Sequence, residues 1–317
     1  MRVADCESDA VALTREWRSV GNTIGFVPTM GALHEGHLSL VREARTRCGK
    51  VVVSIFVNPA QFGPGEDLTR YPRMIEADCG LLASEGVDLV FAPTPDTVYP
   101  TGFSTFVEVT GLTAGLCGAS RPGHFRGVTT VCCALFNIIG PDIAVFGEKD
   151  FQQLAVIRRM TRDLRLRPEI VQCPIVRETD GLAMSSRNAY LSPEEREQAA
   201  FIYRGLTAVT RAAGKGETDL KALKAVFVSV LSRAPMLTLS YFEAVDPDSL
   251  EPAENLDRTV RLLAAVVAGS TRLIDNISLE PPHPSRRTGC QRRNPGCGMW
   301  PGSPEERDPL PWRLPRR

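Results

Sequence analysis

Thr23-Ile24-Gly25-Phe26-Val27-Pro28-Thr29-Met30-Gly31-Ala32-Leu33-His34-Glu35-Gly36-His37 decides the fold of this 317-residue chain. The apolar run Thr23 to Val27 reads as a buried strand. Small residues follow as a turn. From His37 to Cys48, the residues Leu38, Val41, Ala44 and Cys48 recur on one helical face. The order is therefore strand, glycine-bearing loop, helix start. A helix start offers unpaired N–H groups and the positive end of its dipole, which suits a phosphate. His34 and His37, three residues apart, share one side of the first turn. A histidine in that position is ordinarily a cap or a surface residue. Here two of the chain's four histidines fall in one loop.

Downstream, the same strand–loop–helix order returns. Val51 to Val57 is a continuous β-branched strand, as in a parallel sheet covered on both faces. It ends in Asn58-Pro59-Ala60-Gln61, at the strand end where open α/β sheets place ligands. The Gln61 amide can donate to a carboxylate and accept from a hydroxyl, or it is a plain surface residue. A helix over 73–85 carries Asp78, either on a solvated face or placed to help hold magnesium through water. Strands are expected at Val87 to Ala92 and Phe106 to Val109. The connection Gly111 to Gly127 contains Arg121, His124 and Arg126; it reads as a mobile phosphate-facing flap or as a basic surface loop.

An apolar helix from Val128 to Ile139 and a strand from Ile143 to Phe146 lead into Gly147-Glu148-Lys149-Asp150 and a helix over 151–162. Lys149 is a point charge able to meet a phosphate oxygen. Gln153 lies on the same helical side as Asp150. A strand at about 170–176 precedes Met184-Ser185-Ser186-Arg187-Asn188, whose hydroxyls and guanidinium either wrap an anion or are simply solvated. At Ser192-Pro193-Glu194-Glu195 the pattern changes to helices at 193–213 and 218–233, then strands near 238–245, 259–267 and 271–277. This is an α/β region followed by a smaller α+β one.

Composition sets limits. The 37 basic and 37 acidic residues balance, so no net field draws the chain to nucleic acid or to an anionic membrane. No apolar run approaches the roughly 18 residues of a membrane span, and Met1 to Asp9 lacks the order of a secretory signal. The nine scattered cysteines form no Cys-x-x-Cys pair, which fits reduced thiols in a cytoplasm better than disulfides or zinc. Residues 281–317 hold nine of the 24 prolines and no lysine, and read as an irregular or disordered tail.

His34-Glu35-Gly36-His37 resembles the HIGH motif of the nucleotidyltransferase superfamily, which includes the class I aminoacyl-tRNA synthetases. Together with Val57-Asn58-Pro59-Ala60-Gln61-Phe62, Gly147 to Gln153 and Met184 to Asn188, the chain resembles the pantoate–β-alanine ligase (pantothenate synthetase) family over about 20–280. The resemblance implies a Rossmann-like parallel-sheet domain (1–177) that binds ATP and pantoate, then a smaller α+β lid (178–280), in a cytoplasmic homodimer. It implies ATP-dependent condensation of (R)-pantoate with β-alanine through a pantoyl-adenylate, releasing AMP and diphosphate, with magnesium accompanying ATP as co-substrate. Carried across, Met30, Gly31, Ala32, Leu33, His34, Glu35, Gly36 and His37 line the ATP site. Gly147, Glu148, Lys149, Asp150, Val176, Met184, Ser185, Ser186 and Arg187 do so too. His37 is the proton-donating residue, with His34, Lys149 and Arg187 as its catalytic companions. Gln61 holds pantoate and β-alanine, and Gln153 holds pantoate. Another HIGH-motif nucleotidyltransferase and a non-catalytic nucleotide binder are the alternatives. The paired glutamines weigh against the first, and the cationic set weighs against the second.

Overall fold

A computed structural model describes residues 1–282; the expectation of a disordered tail over 281–317 falls outside these residues from 283 onward. The chain opens with strand β1 (Arg2–Ala4) and helix α1 (Glu7–Ser19). Then come β2 (Ile24–Thr29), α2 (Glu35–Arg47), β3 (Lys50–Ile55), α3 (Ile75–Ser84) and β4 (Leu89–Phe91). Two short helices, α4 (Pro95–Val98) and α5 (Leu116–Ser120), precede α6 (His124–Ile139), β5 (Ile143–Gly147), α7 (Phe151–Asp163) and β6 (Glu169–Cys173). These six strands form one parallel sheet in the order β1-β4-β3-β2-β5-β6.

Alternation along the strands sorts the core. Ile24 and Phe26 join Val52, Leu89, Phe91 and Ala144 under α1, α6 and α7. Val27, Val53, Val90 and Val145 face the other way, under α2 and α3. Both faces are dry, so the strands read as continuous apolar runs. Successive strands step outward from β2 through β3 to β4, after which the chain returns to β5 on the other side of β2. The switch between β2 and β5 opens a crevice at their carboxyl ends.

After β6 the chain forms α8 (Pro193–Ala199), α9 (Phe201–Gly214) and α10 (Leu220–Leu231). Ser192 and Glu195 cap α8 reciprocally. Strands β7 (Leu237–Val245), β8 (Val260–Ala268) and β9 (Thr271–Leu279) make a three-stranded antiparallel sheet. One of its faces packs on α9 and α10, where Phe227 stacks on Phe242 with ring centroids 4.4 Å apart. The other carries Val245 and Leu263, which cluster with Leu250 of the β7–β8 connection and with Phe125 and Phe151.

Two expected elements differ. Phe106 to Val109 is not a strand: Val107 bonds the side-chain hydroxyls of Thr130 and Thr129 on α6, so no neighbouring strand satisfies it. The 111–127 connection is not a bare loop. It contains α5 and the first turn of α6, and Gln152 ties it down: its Nε2 donates to the Leu112 and Gly115 carbonyls and its Oε1 accepts from Cys117 N–H.

Candidate active site

The crevice between β2 and β5 holds a cavity of about 220 Å³. The first wall is the histidine loop. Gly31 and Ala32 both have positive φ, +82° and +50°, and turn successive N–H groups to one side. These N–H groups meet a carboxylate from the chain itself. Asp78, 2% exposed on α3, accepts from Ala32 N–H at 2.9 Å and Leu33 N–H at 2.8 Å. A side chain at Gly31 would sit 2.9 Å from Asp78 Oδ2, so glycine is required there on both counts. Ser186 Oγ donates to the Ala32 carbonyl at 3.0 Å and holds the same loop from its other side.

This placement corrects several expectations. Asp78 does not lie on a solvated face: it is buried, and both its oxygens brace the loop. Gly31, Ala32 and Leu33 do not line the cavity, because the loop is turned toward Asp78. Glu35 turns outward to pair with Arg42, and Glu148 pairs with Arg261 at 2.8 Å; neither lines the cavity. Asp78→Ala orphans two N–H groups at about 1–3 kcal/mol each, so the melting temperature should fall by roughly 5–15 °C. Catalytic efficiency with ATP should fall with it, and added magnesium should restore neither; thermal melts and ATP titrations at two magnesium levels check this.

The histidines cap their own helix. His34 Nδ1 accepts from Gly36 N–H at 3.1 Å, and His37 Nδ1 accepts from His34 N–H at 3.3 Å. A backbone N–H can only donate, so both rings carry their proton on Nε2. Burial, then the Lys149 charge, pushes His34 down to about 4. Burial, then His34 and Lys149, pushes His37 down to about 3. At neutral pH the pair is uncharged. The pair therefore meets a phosphate as N–H donors rather than as cations.

His124, on α6, is likewise held down to about 4 by burial and Arg121. Each of the three rings falls below its unfolded value of 6.5. The unfolded chain thus binds more protons between pH 6.5 and about 4, and stability is lost as pH falls through that window. Melting temperatures should be level above pH 7 and drop between 6.5 and 4. A flat profile there would contradict the neutral rings.

Lys149 comes from the loop after β5. Asn276 on β9 donates to the carbonyls of Glu148 and Lys149, each at 2.9 Å, which fixes that loop. The Lys149 ammonium lies 3.7 Å from Asp150 and faces the cavity. Arg187 also reaches the cavity, with its guanidinium bonded twice to Asp67 at 2.9 Å. Gly147, Asp150, Val176, Met184, Ser185 and Ser186 complete the side nearest the histidines, with Met30 and Gly36. The two neighbouring glutamines of α7 divide their labour: Gln152 holds the 112–117 segment, whereas Gln153 faces the cavity. A second cavity of about 380 Å³ shares Arg121, His124, Lys149, Asp150, Gln153, Ser185 and Arg187, and is also lined by Tyr241, Arg272 and Asp275 of the antiparallel sheet.

The remaining wall is apolar: Phe56, with Val128, Val131, Cys132 and Leu135 of α6. The sequence marks that helix as apolar without assigning it to the site. The signal was present, since 128, 131, 132 and 135 follow i, i+3, i+4, i+7 spacing. Gln61 lies 9% exposed between this wall and Met30. Gly127 lets α6 approach it, because a Cβ there would overlap the Ala60 carbonyl. The 121–126 segment is anchored while facing the site: Arg121 and His124 line the cavity, Arg121 pairs with Glu66, and Arg126 stacks 3.9 Å over the Phe106 ring.

The cavity thus brings together neutral imidazole donors, the Lys149 ammonium, the Arg187 guanidinium, two glutamine amides and an apolar wall. Such a site suits an anionic nucleotide beside a small hydroxy acid. A family model described as pantoate-beta-alanine ligase matches residues 2–278. Pantothenate synthetase from Heliobacterium modesticaldum is 53% identical over 280 residues, covering 88% of this chain and all of that one. The pantothenate synthetase of Thermotoga neapolitana is 53% identical over 279 residues, again covering 88% of this chain and all of its own length. Among solved structures, pantothenate synthetase from Thermus thermophilus superposes with TM-score 0.84 at 47% identity, covering 89% of this chain and all of that one. Pantoate-beta-alanine ligase from Francisella tularensis, complexed with beta-gamma ATP and beta-alanine, superposes with TM-score 0.73 at 34% identity, over 87% and 97% of the two chains.

Proposed function

This chain belongs to the pantoate–β-alanine ligase family, and from that membership we propose that it condenses (R)-pantoate with β-alanine through a pantoyl-adenylate. The observation that carries this reading is the meeting of the His34–His37 loop, Lys149 and both glutamines around one cavity.

In the first step a pantoate carboxylate oxygen attacks the α-phosphorus of ATP, and diphosphate leaves. Both reactants are anionic. Lys149 supplies positive charge, and His34 and His37 supply Nε2–H donors for the charge that gathers on the phosphoryl oxygens. Gln61 and Gln153 hold pantoate against the apolar wall of α6. In the second step the neutral amine of β-alanine attacks the acyl carbon and loses a proton, and AMP leaves with the bridging oxygen. Positioning supplies much of that rate, since no covalent link to the protein is needed.

Magnesium belongs with ATP rather than with a protein cage. Among the described residues no three His, Cys, Asp or Glu side chains gather to hold a metal, and Asp78 is committed to the loop. We read 1–177 as the nucleotide-binding body and 178–280 as the lid, supported by the change from parallel to antiparallel sheet. The family resemblance supports a homodimer. Seven free cysteines among the described residues support a reducing cytoplasm, and no helix among them is long and apolar enough to cross a membrane.

Pantoate-dependent ATP–pyrophosphate exchange tests the reading. Exchange without pantoate points instead to another nucleotidyltransferase. Absence of both exchange and AMP release with all substrates supplied points to a non-catalytic nucleotide binder.

A further inference from the structure

Gln61 is held at both its side chain and its main chain, and single-role groups fix the direction of every bond. Asn58, 1% exposed, has an amide atom 3.2 Å from Ala60 N–H. That N–H only donates, so the atom is Oδ1. The other amide atom, Nδ2, then donates to the Gly127 carbonyl at 3.1 Å and to Gln61 Oε1 at 3.0 Å. Gln61 Oε1 therefore faces Asn58 and accepts from it, and its Nε2 is left beside the cavity with only the weak acceptor Met30 Sδ, at 2.9 Å. The Tyr99 hydroxyl donates to Asn58 Oδ1 at 2.8 Å and completes the relay from behind.

The main chain is fixed by a second relay. Arg121, anchored on Glu66, donates to His124 Nε2 at 3.0 Å. A guanidinium only donates, so the ring proton sits on Nδ1, which donates to the Gln61 carbonyl at 2.8 Å. This gives the Arg121–His124 segment a task that its composition did not reveal.

We propose that Tyr99 and His124 are positioning residues for the reaction, locking Gln61 so that its Nε2–H meets the acid substrate as a hydrogen-bond donor. The proposal rests on the reading that Gln61 holds pantoate. A donor suits a carboxylate or hydroxyl oxygen.

Steady-state constants for pantoate and ATP, with melting temperatures, test it. Tyr99→Phe and His124→Leu should each raise the pantoate KM roughly fivefold, the effect of one hydrogen bond, and leave the ATP KM within about twofold. His124→Asn, whose amide nitrogen can stand near Nδ1, should recover most of the loss. Gln61→Glu should raise the pantoate KM beyond Gln61→Ala, because an oxygen replaces the donor and repels the carboxylate. If Gln61→Glu binds pantoate as well as Gln61→Ala or better, the donor assignment is overturned while the pantoate reading stands. If Gln61→Ala leaves the pantoate KM unchanged, both fall. Equal shifts in the pantoate and ATP constants for Tyr99→Phe and His124→Leu would reduce the two relays to fold support and overturn their positioning role.

Discussion

His37→Ala should slow adenylate formation by roughly 10²–10³-fold, the loss typical of removing one preorganised donor at a developing oxyanion. The imidazole is neutral, and its Nδ1 is taken by the His34 N–H, so Nε2–H is what remains to offer. Charge on the phosphoryl oxygens grows mainly in the transition state. Pantoate affinity should therefore change little while the chemical step falls. Because the ring is already uncharged well above its pKa of about 3, its titration should leave no inflection near the ordinary histidine value of 6.5 in the adenylation rate. Single-turnover measurements of the AMP-linked intermediate, from slightly acidic to slightly basic pH, check both statements. Weakened pantoate binding with an unchanged chemical step would remove His37 from the phosphate end.

Lys149→Ala should have an effect of at least the same size, expressed in kcat/KM for ATP. Its ammonium is the cation whose charge both histidines feel, whereas the Arg187 guanidinium is bonded twice by Asp67. Since both imidazoles are neutral, they do not make up the missing charge. The expected loss is about 10²–10³-fold. Lys149→Arg should recover little, because a planar fork on a longer stem does not replace a compact point charge. A second consequence separates charge from fold. The Lys149 carbonyl, not its side chain, is bonded by Asn276, so the alanine variant should melt close to the parent. A large drop in melting temperature would instead assign Lys149 a structural role.

The parts of the site built from contiguous residues were readable in the sequence. The strand, loop and helix around His34 and His37 follow from an apolar run, small residues and helical spacing. The loop bearing Lys149 repeats the pattern, and both meet at the strand switch. What escaped was set by bonds between distant residues. Nothing local shows that Asp78 answers the N–H groups of Ala32 and Leu33, so a loop that looks ready for phosphate already has its anion. Helical spacing from Asp150 picks out Gln153, but nothing local gives Gln152 its partners, the carbonyls of Leu112 and Gly115. The strand expected at Phe106 to Val109 has suitable residues, but the hydroxyls of Thr129 and Thr130 take the place of a partner strand. The three-residue β1 is too short to show a period.

The bracing of the histidine loop also bears on how a new chain acquires its activity. Asp78 reaches the loop across 46 residues and Ser186 across 154. At the opposite end of β2, Asp142 accepts from Ile24 N–H across 118 residues. Contacts closed over such spans form late, and synthesis delivers the N-terminal part first. During translation, His34 and His37 therefore emerge well before the groups that set them, and β2 waits with one edge unpaired until β5 arrives. A chain released before β5 is made would present that open edge to its neighbours rather than act as a weakened enzyme. Such truncated products should accumulate as aggregates, with catalytic competence appearing abruptly once Ser186 and the segments after it are in place instead of growing with the chain.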